Sequence, residues 1–292
     1  MSLLERVFDT ARSRRARVVL PELDDVRVAE AAGRLDREGL AVPMNVTDIS
    51  QAKIDAVVRT RGMKPAMAER LLRKPLYRAA AMVAAGEADL LVAGAANPTA
   101  EVIKAAAMSI GLAPGVSVPS SFFLMLFRDS DMVWADCAVN TYPDAEALSA
   151  IATASAVSAQ ALLGSARVAL LSFSTGTSGA GASVDMVREV AERTGFAGPV
   201  QADAALNAAI AAKKGTGSGD ANVLVFPSLD AGNIAYKLAQ ELAGAQAVGP
   251  FLQGFAKPVC DLSRGARVHD IVAATAVTSA LMQDPVMLPA SG

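Results

Sequence analysis

The sequence predicts an α/β protein, with helices layered around a mostly parallel sheet. Two patterns carry that prediction. Short runs rich in β-branched residues alternate along the chain with longer, Ala-rich segments of helical period. Loops rich in Gly, Ser and Asp fall where a strand-like run gives way to a helical one. The 292 residues, 52% apolar and 19% charged, supply a large core for one big or two modest domains.

Taken in order, "ARSRRARVVL" is the basic end of an amphipathic helix leading into the strand "ARVVLPE". "DDVRVAEAAGRLDREG" is the next helix, with Asp24 or Asp25 near its start. "AVPMNVTD" is a strand, and "KPAMAERLLRKPLYRAAAMVAAGE" is helical with a break near Pro75. The strand "ADLLVAGA" and the helix "TAEVIKAAAMSIG" follow. "SSFFLMLFRDSDMVWADCAVN" reads as two apolar strands joined by the polar turn "RDSD", an antiparallel pair. "YPDAEALSAIATASAVSAQALLG" opens with Pro143 and acidic residues, a good helix start. The strand "ARVALLSFS", the loop "TGTSGAGAS" and the helix "VDMVREVAERTG" come next. "GPVQADAAL", "KKGTGSGDA", the strand "NVLVFPSL", a helix opening at Asn233 and the strand "QAVGPFLQG" lead to the last helix, "IVAATAVTSALM". No repeat or long linker divides the chain, so its halves are expected to share one structure with a cleft.

The charge balance, 27 Lys and Arg against 29 Asp and Glu, offers no footprint for nucleic acid or an anionic membrane. Two cysteines, Cys137 and Cys260, and one histidine, His269, make neither a zinc site nor a disulfide framework. The first residues lack an apolar signal core, and no apolar run approaches the roughly 20 residues of a membrane span. A soluble, cytoplasmic protein without a metal is expected.

Three loops lie where a strand's C-terminal end turns into a helix, the edge at which open α/β sheets bind ligands. "SFSTGTSGAG" offers the hydroxyls of Ser172, Ser174, Thr175 and Ser178 and the flexible amide of Gly176 just before a helix. Such a place suits a phosphate, although the loop is neither Walker A nor G-x-G-x-x-G, and a plain Gly/Ser turn also accounts for it. "FPSLDAGN" ends a strand and reaches Asn233, which an N-cap role would explain; Asp230 or Asn233 could equally face the cleft.

The third loop, "KPVCDLSRGARVHDIV", gathers most of the polar chemistry. With Ser263 as cap of the last helix, Arg267 and Asp270 follow at i+4 and i+7 on one stripe, with Ser263 and Asp270 about 10 Å apart. Arg264 and Arg267 oppose the helix dipole there, a conflict that a docked anion would resolve. The alternative is a surface ion-pair face, Arg267 with Asp270 and Arg264 with Asp261. His269, about 100° round the helix from Asp270, is expected to be incidental.

"GDANVLVFPSLDAGNIAYKLAQELAGAQAVGPFLQGFAKPVCDLSRGARVHDIV" resembles the C-terminal signature of phosphate acetyltransferases, and "GEADLLVAGAANPTAE", "ADCAVNTYPDAEALSAIA", "LLSFSTGTSGAG" and "GPVQADAAL" match that family in the same order. The resemblance runs from about Pro21 to the C-terminus. It implies two three-layer α/β/α domains with a cleft between them, like isocitrate and isopropylmalate dehydrogenases. Domain I would take residues 1–125 plus 251–292 and domain II residues 126–250. A homodimer, an active site in the cleft, and acetyl transfer between CoA and phosphate without metal or prosthetic group are implied as well. By the same resemblance Asp270 is the base for the CoA thiol, Ser263 stabilises the transition state and Arg264 binds the phosphoryl end of acetyl phosphate. Lys104 stands where the family often has a CoA-binding arginine, and Asn233, Gln253 and Lys257 join the glycine-rich loop as candidate substrate contacts.

The chemistry makes one demand. A thiol near 8.5 and an aspartate near 3.9 differ by about 4.6 units, so proton transfer costs about 6 kcal/mol in water, which the site must offset. Several residues depart from the family pattern: Cys260, Ser228, Asp230, Ala266, Arg267, His269 and Lys104. They leave room for another short acyl group, as in phosphate butyryltransferases, or for a non-catalytic CoA-binding regulator.

Overall fold

Residues 2–282 are described by the computed structural model, and the alternation read from the sequence becomes a helix-covered sheet. The chain opens with α1 (Leu3–Arg14), β1 (Arg17–Val19), α2 (Val26–Arg37), β2 (Val42–Met44), α3 (Gln51–Arg61), α4 (Pro65–Leu72), α5 (Pro75–Ala84), β3 (Leu90–Ala93) and α6 (Thr99–Ser109). The hairpin β4 (Ser120–Leu126) and β5 (Asp131–Ala135) leads to α7 (Ala145–Leu163), β6 (Val168–Leu171), α8 (Ala182–Thr194), β7 (Ala197–Val200), α9 (Ala202–Leu206) and α10 (Ala208–Lys214). The chain ends with β8 (Val223–Val225), α11 (Leu229–Ala243), β9 (Gln246–Gln253), β10 (Val259–Asp261) and α12 (Val268–Ala280).

Local chemistry sets most of these boundaries. Ser2 and Glu5 form a capping box on α1, and Asp25 caps α2 by accepting from the Arg27 amide. Pro65 and Pro75 each take the first position of a helix, where no N–H is needed, so the predicted break at Pro75 separates α4 from α5. Asp144 caps α7, which stops at Gly164 with φ 75°. With 19 residues and a mean hydropathy of 1.3, α7 has the length and composition of a membrane span; its Leu148, Ile151, Ala159 and Leu162 are instead buried in the core. The apolar pattern does not announce α3, whose buried residues are Lys53, Ala56 and Val57.

The ten strands of the described residues join one sheet, in the order β2-β1-β3-β10-β9-β4-β5-β8-β6-β7. β1, β2, β3 and β10 are mutually parallel, β9 is antiparallel to β10 and to β4, β5 is antiparallel to β4, and β5, β8, β6 and β7 are parallel again. One core crosses both halves of the sheet, from Val18 and Leu90 through Phe122 and Phe251 to Leu170 and Val223, and α12 buries Ile271 through Val277 in it. On the opposite face, α5 and α6 cover one half, around Tyr77, Met82 and Val102. Trp134, Leu224 and Phe226 anchor the layer over the other half.

Three local expectations change. β10 is a strand inside the polar stretch "KPVCDLSRG", inserted between β3 and β9. α12 begins at Val268 rather than at Ser263, with Arg267 as its cap residue. α11 begins at Leu229 with Ser228 as its cap, so Asn233 lies inside the helix and does not open it.

Candidate functional site

The polar corner follows directly from β10. Leu262 donates its N–H to the Ala93 carbonyl at 2.6 Å, one step beyond the strand pairing with β3. Gly265 N–H donates to Ser263 Oγ at 3.2 Å and Ala266 N–H to the Ser263 carbonyl at 2.9 Å. In this tight turn Ser263, Arg264 and Gly265 are exposed while Ala266 is buried.

An arginine on α2 clamps the turn. Arg27 Nη1 donates to the carbonyls of Arg264 at 2.8 Å and Ala266 at 2.9 Å, and Nη2 reaches the Ala95 carbonyl at 3.3 Å. Asp25 orients that guanidinium through bonds of 3.0 Å to Nε and 2.7 Å to Nη2. The same contact holds the Asp25 carboxyl down at about 2. The Arg264 guanidinium is different: among the described residues it has no hydrogen bond or ion pair, although its carbonyl is fixed.

Asp270 stands in the first turn of α12 with its side chain one-third exposed. Its Oδ2 accepts from Arg267 N–H at 2.9 Å and Arg267 Nε at 3.2 Å, and its Oδ1 lies 3.1 Å from His269 Nε2. The Arg267–Asp270 pair of the alternative, ion-pair reading is therefore made. The Ser263–Arg267–Asp270 stripe is not, because Ser263 precedes the helix. His269 and Asp270 touch in spite of their angular separation, since both side chains are long enough to lean together at a helix end.

Of two further neighbours of the corner, Glu22 was not read from the sequence, and Asp261 was read only as an ion-pair partner for Arg264, a pair the described residues do not make. Glu22, buried just after β1, accepts from the backbone amides of Gly94, Ala95, Ala96 and Asn97 at 2.8–3.2 Å and from Asn97 Nδ2 at 2.6 Å. These donors converge because the β3–α6 loop curls round the carboxylate, a charge-assisted nest. Asp261, 1% exposed, accepts from Thr99 Oγ1 at 2.6 Å. Gly94, at φ +109°, makes this packing possible: a Cβ there would lie 2.5 Å from Asp261 Oδ1 and 2.6 Å from the Leu262 backbone. The acid of "LPE" and the glycine in "AGA" were the available signals, but they gain meaning only when the two loops meet.

The remaining predicted residues divide. In the glycine-rich loop Ser174 Oγ accepts from Gly179 N–H at 2.8 Å and lies 3.2 Å from Ser178 Oγ, and Ser172 Oγ accepts from Ser174 N–H. Thr175 N–H donates to Ser178 Oγ at 3.0 Å, Thr175 Oγ1 bonds Gln201, and Gly176 N–H donates to the Pro199 carbonyl. The loop thus spends much of its polar capacity on its own shape. Asn233 Nδ2 donates to the Cys137 carbonyl at 3.1 Å. Gln253 is buried, with Nε2 on Ser120 and Ser155 and Oε1 accepting from Ser158. Its side chain is occupied inside the fold. Lys257 is exposed before β10, on the side of Asp89; six residues of nearly extended chain, about 20 Å, separate it from Ser263. Lys104 is exposed on α6, the helix that Thr99 begins.

Strand direction corrects one further expectation. β6 and β8 run opposite to β10, so the loops after them leave the other edge of the sheet from the Ser263 corner. Five strand steps lie between β10 and β6, and at 20–25° each the sheet turns by about 100–125° over them.

A cavity of about 340 Å³ opens beside the Glu22 nest, lined by Pro21, Lys74, Pro75, Tyr77, Asn97 and Glu101. A larger one, about 440 Å³, lies at the start of β5 and before β6 and β8, where Arg167 is already engaged by Asp220 and Ser165. Among the described residues no three His, Cys, Asp or Glu side chains group to hold a metal ion.

Comparison with known proteins places this arrangement. Residues 45–279 match the family described as Phosphate acetyl/butaryl transferase. The phosphate acetyltransferase of Paracoccus denitrificans is 42% identical over 96% of this chain and 99% of its own length. A phosphotransacetylase structure from Streptococcus pyogenes superposes with a TM-score of 0.88 at 34% identity, covering 96% of this chain and 98% of the other. The EutD phosphotransacetylase of Staphylococcus aureus gives 0.86 at 34% identity over 95% and 98%. With the family model matching residues 45–279 and a relative 42% identical over nearly the whole of both chains, the chain belongs to the phosphate acetyl/butyryl transferase family.

Proposed function

We propose that the protein catalyses the reversible transfer of an acetyl group between CoA and inorganic phosphate. One observation carries the site assignment: the Arg264 backbone is clamped by Arg27 while its guanidinium has no partner among the described residues, beside an exposed serine. An exposed guanidinium carried on a held backbone suits a dianionic phosphoryl group, which it can grip through two parallel hydrogen bonds.

In the direction of thioester formation, Asp270 accepts the proton of the CoA thiol. The sulfur then attacks the carbonyl carbon of acetyl phosphate. The Ser263 hydroxyl donates to the developing oxyanion, and collapse of the tetrahedral species breaks the carbon–oxygen bond to phosphate. The phosphate leaves with that electron pair and takes up the proton that Asp270 holds, directly or through water, so HPO4²⁻ departs with its charge held by Arg264 and Asp270 is ionised again. Both substrates are bound together, so no covalent enzyme intermediate is needed. Arg267 and His269 hold the Asp270 carboxylate in one orientation, which places the accepting oxygen without a search.

We keep the division into two domains, 1–125 plus 251–292 and 126–250: β1, β2, β3 and β10 lie in the first and β5, β6, β7 and β8 in the second, while β4 and β9 cross the boundaries at the centre of the shared sheet. The glycine-rich loop of the second would face the corner of the first across a cleft, with Lys104 and the cavity at Lys74 receiving parts of CoA. We assign the working form to a homodimer; the exposed Ile234, Leu238 and Leu242 on one stripe of α11 support this. The two free, buried cysteines suit a reducing compartment, and we place the protein in the cytoplasm.

The test is thioester formation from CoA and acetyl, propionyl or butyryl phosphate, with Arg264→Ala and Asp270→Asn in parallel. The reading requires acetyl phosphate to be used best and both variants to lose about 100-fold or more in kcat/KM while remaining folded. Absence of turnover with every acyl phosphate would refute it.

A further inference from the structure

β10 ends in a carboxyl that the reaction above does not use. Asp261 is 1% exposed; its Oδ2 takes the Thr99 hydroxyl at 2.6 Å, while its Oδ1 has no hydrogen-bond partner among the described residues. That oxygen lies against the space left by Gly94. Leu262, the next residue, is pinned to Ala93, and Ser263 and Arg264 follow at once. Thr99 is the first residue of α6, the helix that carries Lys104. One buried carboxyl therefore ties the corner to the start of a neighbouring helix.

We propose that Asp261 is a positioning residue whose protonated form locks the Ser263–Arg264 corner against α6 and whose ionisation loosens that corner and slows acyl transfer. The kinetic half of this proposal rests on the function assigned above; the structural half does not. The Thr99 bond is itself stronger to an ionised oxygen, so the loosening comes from Oδ1. A neutral carboxyl suits the place, whereas an ionised one would leave that oxygen buried without a donor or cation against Gly94 and Leu262 and draw water between them. The titratable groups that face it are the Glu22 carboxylate, from the segment after β1, and the Cys260 thiol on its own strand. From α6 it meets the uncharged Thr99, and β3 and β9 carry no charged residue. His269 and Asp270, at the start of α12, are paired with each other. Burial, and then the Glu22 charge, push the Asp261 carboxyl up to about 7, against the opposing pull of the Thr99 hydroxyl. An unfolded aspartate titrates near 3.9, so between about 4 and 7 the native chain keeps a proton that the unfolded chain has lost. The lock is thus complete in mild acid and is lost as pH rises through about 7.

Asp261→Asn keeps the shape and an oxygen for Thr99 but cannot ionise; Thr99→Val removes the bond. Hydrogen exchange of residues 262–266, corrected for the intrinsic rate, and steady-state kinetics would be measured on both variants and the wild type at about pH 6 and pH 8. The lock predicts faster wild-type exchange at the higher pH, no such change in Asp261→Asn, and fast exchange at both values in Thr99→Val. It also predicts that the ratio of Asp261→Asn to wild-type kcat rises by up to about tenfold between the two, following the neutral fraction of an acid titrating near 7, with KM for CoA unchanged. Wild-type exchange that ignores pH, a flat kcat ratio, or Thr99→Val exchange equal to wild type would each overturn the proposal. If Asp261→Asn does not fold, the Thr99→Val and wild-type exchange decide it. A wild type without turnover would sink the acyl-transfer reading alone, because the exchange measurements still judge the lock.

Discussion

Arg27 Nη1 lies 2.8 Å from the carbonyl oxygen of Arg264. One arginine thereby holds another by its backbone, while the held residue's guanidinium makes no hydrogen bond or ion pair among the described residues. The clamp needs a planar fork, since the same group also meets Asp25, Ala266 and Ala95. A lysine ammonium cannot span those positions.

Arg27→Lys is expected to lower kcat/KM for acetyl phosphate by about 10- to 100-fold, as a misplacement of about 1 Å at the reacting groups would. KM for CoA should change little. Steady-state kinetics with each substrate varied would check this; a Lys variant as good as wild type would show that the clamp has no catalytic consequence.

Gly94 and Gly62 both have positive φ, +109° and +62°, but their surroundings differ. Around Gly62 there is open space, so Gly62→Ala should cost about 1 kcal/mol from backbone strain alone. Gly94→Ala must also displace Asp261 and the Leu262 backbone, and about 3 kcal/mol or more is expected. Denaturant midpoints of the two variants would separate strain from collision.

Burial pushes the thiols of both Cys137 and Cys260 up, and the neighbouring Asp136 and Asp261 add to the shift. Thiolate is the reactive form, so raised thiols in a closed core should be inert at neutral pH. A thiol-reactive chromophore is expected to find almost no reactive cysteine in the native protein and two after unfolding in guanidinium. Rapid native labelling would show that these sites open far more readily than their burial implies.

Leu242 is 82% exposed and shares a stripe of α11 with Leu238 and Ile234. If this face joins two copies, Leu238→Glu should weaken the dimer by about tenfold or more without lowering monomer stability by more than about 0.5 kcal/mol. Sedimentation equilibrium over a range of concentrations is the measurement. Unchanged association would place the dimer contact elsewhere.

Much of the fold was legible because it is written locally. Pro65, Pro75, Asp25, Asp144 and Gly164 each start or stop a helix through their own backbone chemistry. The β4–β5 hairpin was visible for the same reason, its polar turn lying between two apolar runs. The corner itself was also legible, since Ser263, Arg264 and Asp270 sit within eight residues of one another in the chain.

What escaped the sequence depends on partners distant along the chain. β10 is three residues long and is a strand only because β3 and β9 flank it. Glu22 meets its amide donors across 72 to 75 residues, and Asp261 meets Thr99 across 162. Gln253 looked like a substrate contact until Ser120, Ser155 and Ser158 closed round it. The sequence by itself determined the alternating elements, the family and the residues of the corner, because periodicity, capping and motif order act over short spans. Only the tertiary structure decided the strand directions, the Arg27 clamp and the burial of Asp261. These are set by which segments pack together, and a hydrogen bond between distant residues leaves no local pattern in either of them.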